Sequence, residues 1–160
     1  MRKSRKQFWK SKRDLNKNRK MFSRATEYAI KAMLFINLQK EEGVVSLGDI
    51  IEAIGSPTAF TAKILQQLRK KSLLVSNVGV KGGFSIPLGK EISIKEIVVA
   101  IEGNGFFESC VLGLKECSAS KPCPMHHVFF SIRKQLEVVL QTTSLDDFSE
   151  NLLQNKISLK

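Results

Sequence analysis

Only a few residues around Gly55 separate two runs of helical periodicity, and two short β-like runs follow the second of them. This order limits the chain more than any other feature does. Ser46 opens the first run: its hydroxyl can accept a first-turn amide while Asp49 reaches back toward the cap. That helix carries Ile50, Ile51 and Ile54 and stops at Gly55. Pro57 then restarts the chain at a first-turn position, where its missing N–H costs nothing, and the next helix runs to about Lys71. Upstream, Ala25, Tyr28, Ala29, Ala32, Met33 and Ile36 form one apolar stripe that Glu42-Gly43 interrupts. Downstream, Leu73-Leu74-Val75 and Phe84-Ser85-Ile86 flank Gly79-Val80-Lys81-Gly82-Gly83, the pattern of a hairpin. Three helices and then a hairpin is the order of a winged helix-turn-helix, whose second and third helices need a short joint.

Beyond the hairpin the pattern is helical again. Ser93 and Glu96 form a capping box ahead of Ile94, Ile97, Val98 and Ile101, and Gly103-Asn104-Gly105 ends that helix. Pro124 starts a long helix to about Leu140, with Met125, Val128, Phe129, Ile132, Leu136, Val139 and Leu140 as its apolar positions. Ser144 caps a last helix, with Asp147 three residues on. The fold class is therefore mainly α with a small β-hairpin. Four segments are expected: a basic extension over 1–20, a winged helix-turn-helix domain over 21–103, a cysteine-rich loop over 104–124, and two helices over 125–160.

The third helix has two faces. With Phe60 at the origin of a helical wheel, Phe60, Ile64, Leu65 and Leu68 fall within about 140° and are expected in the core. The other side presents Ala59, Ala62, Lys63, Gln66, Arg69 and Lys70, with Thr58 at the helix start. Small residues permit close approach to a groove, Lys63 and Gln66 can reach base edges, and Arg69 and Lys70 suit phosphates. A basic outer face is commonly just solvated. The hairpin tips the balance, because Lys81 between its glycines is placed like a wing residue entering a minor groove.

All three cysteines of the chain fall in one segment, Cys110-x6-Cys117-x5-Cys123, with His126 three residues on. Gly113, Pro122 and Pro124 make the segment a loop, able to wrap its ligands around one centre. Free cysteines are often buried as small hydrophobes, but nothing apolar and periodic surrounds these. Thiolates are the soft ligands of iron–sulfur clusters and zinc. Three cysteines and one histidine would satisfy tetrahedral zinc, although structural zinc sites more often space their ligands by two residues than by five or six.

The formal charge of +11 is unevenly held. Residues 1–20 carry ten Lys/Arg and one acid, Asp14, which leaves sixteen basic and fourteen acidic side chains for the other 140 residues. The body is thus nearly neutral. The arm, with only Phe8, Trp9 and Leu15 as large apolar residues, is expected to be disordered and to suit a phosphate backbone or an anionic surface. Met21 offers an alternative start that would exclude it. The arm lacks the apolar centre of a secretory signal, and no apolar run approaches the ~18 residues of a membrane span. An odd cysteine count without such a signal points to the reducing cytoplasm.

With these pieces together the chain resembles the IscR/NsrR-type (Rrf2-like) family of bacterial winged-helix iron–sulfur transcription regulators. The matching residues are Ser23-x3-Glu27-Tyr28-Ala29-x2-Ala32-Met33, Ile64-Leu65-x2-Leu68-Arg69-Lys70-x2-Leu73-Leu74, the wing Gly79-x2-Gly82-Gly83-Phe84, and the cysteine loop. They span roughly residues 21–141. The resemblance implies a homodimer built on the long helix after Cys123, a 2Fe-2S or 4Fe-4S cluster held by Cys110, Cys117 and Cys123, and double-stranded promoter DNA as partner. His126 on the first turn of the long helix, or Glu27 reaching from the partner subunit, would complete the ligand set. Two departures stand out: the gap of six after Cys110, shorter in some members, and Val78, where an arginine often precedes the wing.

The alternatives are a regulator of the same fold using zinc or bare thiols as a redox switch, and an electron-transfer iron–sulfur protein. The short Cys-x2-Cys-x2-Cys runs of ferredoxins are absent, and a DNA-reading surface would then be unexplained. No phosphate-cradling glycine loop, Ser-His-Asp order or carboxylate pair points to an enzyme, so none is expected.

Overall fold

The computed structural model describes residues 21–79 and 82–160, so both the basic arm and Lys81 lie outside the described residues. The first helix, α1 (Arg24–Leu38), starts at Ser23, whose hydroxyl accepts the Thr26 amide at 3.2 Å. It is the hub of the fold. Ala29, Ala32, Met33 and Ile36 are buried where α1 packs against the helices that follow it. A 3-10 turn (Lys40–Glu42) leads to α2 (Leu47–Ile54), then to α3 (Thr58–Lys70), the hairpin strands β1 (Val75–Asn77) and β2 (Gly83–Ser85), and α4 (Ile94–Glu102). Ile50, Ile54, Leu65, Leu68, Ile97 and Val98 from α2, α3 and α4 complete the core around α1. Each such side chain contributes about 1.5–3 kcal/mol on burial.

The joint between α2 and α3 works through local chemistry. Gly55 takes φ 62°, ψ 43°, a left-handed conformation, and its amide closes α2 on Ile51 O at 2.9 Å. Pro57 is not the first helical residue but the residue before it, extended at φ −66°, ψ 134°, and α3 begins at Thr58. Phe60 also departs from expectation. It is 38 % exposed and packs edge-on against Tyr28, while Thr61 is buried in the place expected for it. The amphipathic stripe of α3 is rotated toward Thr61 because the Thr61 hydroxyl donates to Pro57 O at 2.9 Å and needs no water.

The hairpin is a two-stranded antiparallel sheet pairing Val75 with Ser85, Ser76 with Phe84 and Asn77 with Gly83. Val45 adds a third backbone to it, exchanging both bonds with Phe84 at 2.8 Å. That approach is possible only because residue 83 is glycine: a Cβ there would stand 2.5 Å from Val45 O. Leu73 and Leu74 precede the strand and are buried in the core.

A short helix, α5 (Gly105–Glu108), follows α4 where a loop was expected. The long helix α6 (His126–Thr142) begins two residues after Pro124, not at it, and runs two residues past Leu140. The last helix, α7 (Leu145–Gln154), is capped by Ser144, which accepts the Asp147 amide at 3.0 Å. Paired bonds, Ile94 N–H to Thr143 O at 3.0 Å and Leu145 N–H to Ile92 O at 2.7 Å, tie the starts of α4 and α7 together. Asn37, buried on α1, donates to Asp146 at 2.9 Å and Ser149 at 3.1 Å and fixes α7 to the hub. Among the described residues no helix is long and apolar enough to cross a membrane.

Candidate functional site

Two surfaces carry chemistry. On the first, α3 exposes Thr58, Ala59, Lys63, Gln66, Arg69 and Lys70, and leaves Ala62 half-buried. These residues share one outer face, opposite the buried Ile64, Leu65 and Leu68. The hairpin stands beside that face: the Arg69 guanidinium donates to Ser76 Oγ at 3.4 Å, and Ser76 and Phe84 line a concavity with the α3 residues. Reading the helix alone missed Ser76 and Phe84. The signal lay in strand alternation, which puts these two cross-strand partners on the same side of the sheet.

The second surface is the thiol loop. Turns closed by Gly113 N–H to Cys110 O at 2.9 Å and Cys117 N–H to Leu114 O at 3.2 Å fold residues 110–117 back on themselves. Gly113 permits the first turn at φ 68°. As a result the three Sγ atoms lie within 4.8 Å of one another, and Cys110 Sγ is 3.7 Å from Cys123 Sγ. His126 touches one of them, its Nδ1 3.2 Å from Cys117 Sγ, without entering the group of three whose ligand atoms all gather together. Glu27, half-buried on the first turn of α1, is not among the residues whose ligand atoms gather at the thiols of its own chain. His127, the neighbour of His126, is exposed. Phe129, Phe130 and Arg133 of α6 line the cavity beside the thiols, a contact that α6 periodicity did not foretell.

The loop's electrostatics separate its thiols. The Leu114 amide hydrogen bond is the largest influence on Cys110 and, helped by the Leu112 amide and the other two thiols, brings it down to about 7. For Cys117 the Cys123 amide pulls downward, but burial and the two neighbouring thiols outweigh it and push the group up. Lowering Cys110 to about 7 favours its thiolate near neutral pH, the form of a cysteine that binds metal.

The Rrf2 family, described as iron-dependent transcriptional regulators, matches residues 22–151. IscR of Photorhabdus laumondii, an HTH-type transcriptional regulator, is 30% identical over 127 residues, covering 78% of this chain and 76% of that protein. Among solved structures, T. potens IscR aligns with TM-score 0.67 at 25% identity, covering 85% of this chain and 90% of its own. CymR, the global cysteine regulator of B. subtilis, aligns with TM-score 0.67 at 24% identity, covering 81% of this chain and 96% of that one, a likeness of fold. The relatives are named as regulators and not as enzymes. With a winged helix-turn-helix in place and the match running from the start of α1 into α7, the chain belongs to the Rrf2 family of DNA-binding transcriptional regulators.

Proposed function

We propose that the chain binds an inverted-repeat operator as a homodimer and that an iron–sulfur cluster on Cys110, Cys117 and Cys123 sets its operator affinity. The observation that carries this is the gathering of all three thiols within 4.8 Å in a loop that the short helix α5 joins to α4. The donor set fits: three soft thiolates, with His126 at hand and the partner subunit's Glu27 as its rival for the remaining position. The family's description as iron-dependent and the IscR relatives support the same choice. When bound, the cluster would supply a centre whose charge and integrity respond to redox state and small ligands.

The protein's own residues provide the coupling. Gln67 on α3 donates to Ala100 O of α4 at 2.9 Å, and Glu102 at the end of α4 accepts Ser23 N–H at 3.0 Å. A change in the thiol loop that reaches α4 through α5 would therefore bear on the base-reading helix and on the start of α1 alike. The two loop states then make different contacts with the DNA-binding elements, as any switch requires. For the dimer, Val128, Ile132 and Val139 of α6 are each more than half exposed and share one stripe, while Leu136 and Leu140 pack inward on the core. The +9 of residues 1–20 would add salt-dependent affinity without base preference.

A second reading, a single zinc ion or bare thiols, has its own observation. A tetrahedral ion with Zn–S of about 2.3 Å separates its sulfurs by about 3.8 Å. Cys110 and Cys123 stand 3.7 Å apart as they are, and the cavity beside the thiols, about 30 Å³, has room for one ion. A cluster requires the loop to open. Anaerobic purification decides between the two. Brown protein with iron and acid-labile sulfide supports the cluster, stoichiometric zinc without colour supports the ion, and metal-free protein with reversible thiol oxidation supports the bare switch.

A further inference from the structure

The outer face of α3 does not meet solvent as a uniformly cationic surface. Between it and the hairpin lies a concavity in which Ala59 and Ala62 face Phe84 of β2, with Lys63 and Gln66 beside them. Ala59 and Ala62 are neighbours on the helix surface at three-residue spacing, so their methyl groups form one small apolar patch. Phe84 is half-buried and packed against the core, held in place by its backbone bonds to Val45. At the far end Arg69 is tethered to Ser76 at 3.4 Å.

The chemistry of this concavity is specific. The side chains of Ala59, Ala62 and Phe84 carry no hydrogen-bond donor or acceptor, so the surface they present to a base edge is apolar, with the cations of α3 around it. Among the groups that base pairs display in the major groove, the C5-methyl of thymine is the apolar one, and alanine and phenylalanine side chains are suited to meet it. We propose that Ala59 and Ala62, walled by Phe84, form a thymine-methyl subsite that supplements the hydrogen-bonding tips of Lys63 and Gln66. The subsite rests on α3 being the base-reading helix and adds to it a chemical class of base group. Burying one methyl group is worth about fourfold in affinity for each thymine read.

The test removes only that methyl. Preferred duplexes are first selected from a random DNA pool with the full chain, then resynthesised with deoxyuridine in place of thymidine, one position at a time and throughout. The expected result is a loss of about fourfold at one or two positions per half-site. That loss should shrink in Ala62→Ser or Ala59→Ser, each of which adds a single polar hydroxyl to a small side chain and whose folding is checked by thermal melting. Unchanged affinity on full replacement would overturn the subsite, as would an equal penalty in the wild type and both serine variants. Recovery of no preferred duplex would instead overturn the assignment of α3 as the reading helix, and the subsite with it.

Discussion

The carboxylate of Glu102, the last residue of α4, accepts the Thr26 hydroxyl of α1 at 2.7 Å. Ser23 N–H shares the same oxygen at 3.0 Å, so α4, which the short helix α5 joins to the thiol loop, also holds the first turn of α1. Burial works against ionisation of Glu102, but the hydrogen bonds from Thr26 and Ser23 outweigh it and keep the carboxyl below its ordinary value of 4.5. A depressed folded-state value means stability that is present above pH 4.5 and lost as the pH falls through the folded-state value. Glu102→Ala is expected to cost about 1–2 kcal/mol in urea unfolding at neutral pH, and to flatten the stability profile below pH 5. A profile of unchanged steepness there would assign the acid loss to other carboxylates.

Two glycine substitutions are expected to act in opposite directions. Gly83→Ala would bring a Cβ to 2.5 Å from Val45 O, backbone that cannot swing aside, so the hairpin must shift. The cost should be about 1–3 kcal/mol, accompanied by weaker DNA binding as the hairpin moves relative to α3. Gly48→Ala, inside α2, meets only Ser46 Oγ at an ordinary 3.6 Å and should gain up to about 1 kcal/mol. Denaturation midpoints of the two variants, compared with wild type, check both signs.

The cationic face of α3 invites a separation of base from backbone contacts. Lys63 lies beside the concavity and Lys70 at the exposed end of the helix. Lys63→Ala should relax the preference for selected over random duplex. Lys70→Ala should weaken both equally and lower the slope of log affinity against log salt by about one. Gel-shift titrations at several salt concentrations provide the readout; wild-type behaviour in both variants would move the interface away from this face.

Much of this architecture could be read from short stretches of chain, because its determinants are local. Ser46, Ser93 and Ser144 each cap a helix with an acid three residues on, and all three caps form. The cysteines, with Gly113 between them, announce a loop around one centre, and the thiols do converge. What escaped were relationships across the chain. Phe60 fits the apolar stripe by wheel angle, yet Thr61 satisfies its own hydroxyl on Pro57 O and takes the inner position. The Val45–Phe84 backbone pairing and the Glu102 grip on Thr26 join residues 39 and 76 positions apart, and neither leaves a periodic trace. Pro124 was a true boundary signal displaced by two residues, since the turn closed by His126 N–H on Cys123 O comes first.

His126 and Glu27, the two candidates for a fourth ligand of the proposed centre, differ in where each resides. His126 Nδ1 is already 3.2 Å from Cys117 Sγ, so His126→Ala should alter the spectrum of the bound centre even in isolated protomers. Glu27 does not gather with its own chain's thiols, so its contribution requires the partner subunit. Glu27→Ala should therefore affect the centre only under dimeric conditions and should also uncouple operator affinity from cluster loss. Wild-type spectra and cluster-dependent binding in both variants would leave the position to a thiol or water.

The stripe on α6 tests the dimer on which that argument depends. Val128, Ile132 and Val139 are 57%, 52% and 58% exposed, and they recur at intervals of four and seven residues, the spacing of a helix-pairing seam. Ile132→Asp places a charge in the middle of that seam without touching the core. It is expected to convert the protein to monomer in sedimentation velocity while leaving helix content and melting nearly unchanged. Operator affinity should fall steeply, since each half-site would then be bound alone. Leu136→Ala, on the inward side where the side chain packs on the core, should behave in reverse: it should lose about 2–5 kcal/mol of stability and remain dimeric while folded. A dimer that survives Ile132→Asp would place the interface on another face of the molecule.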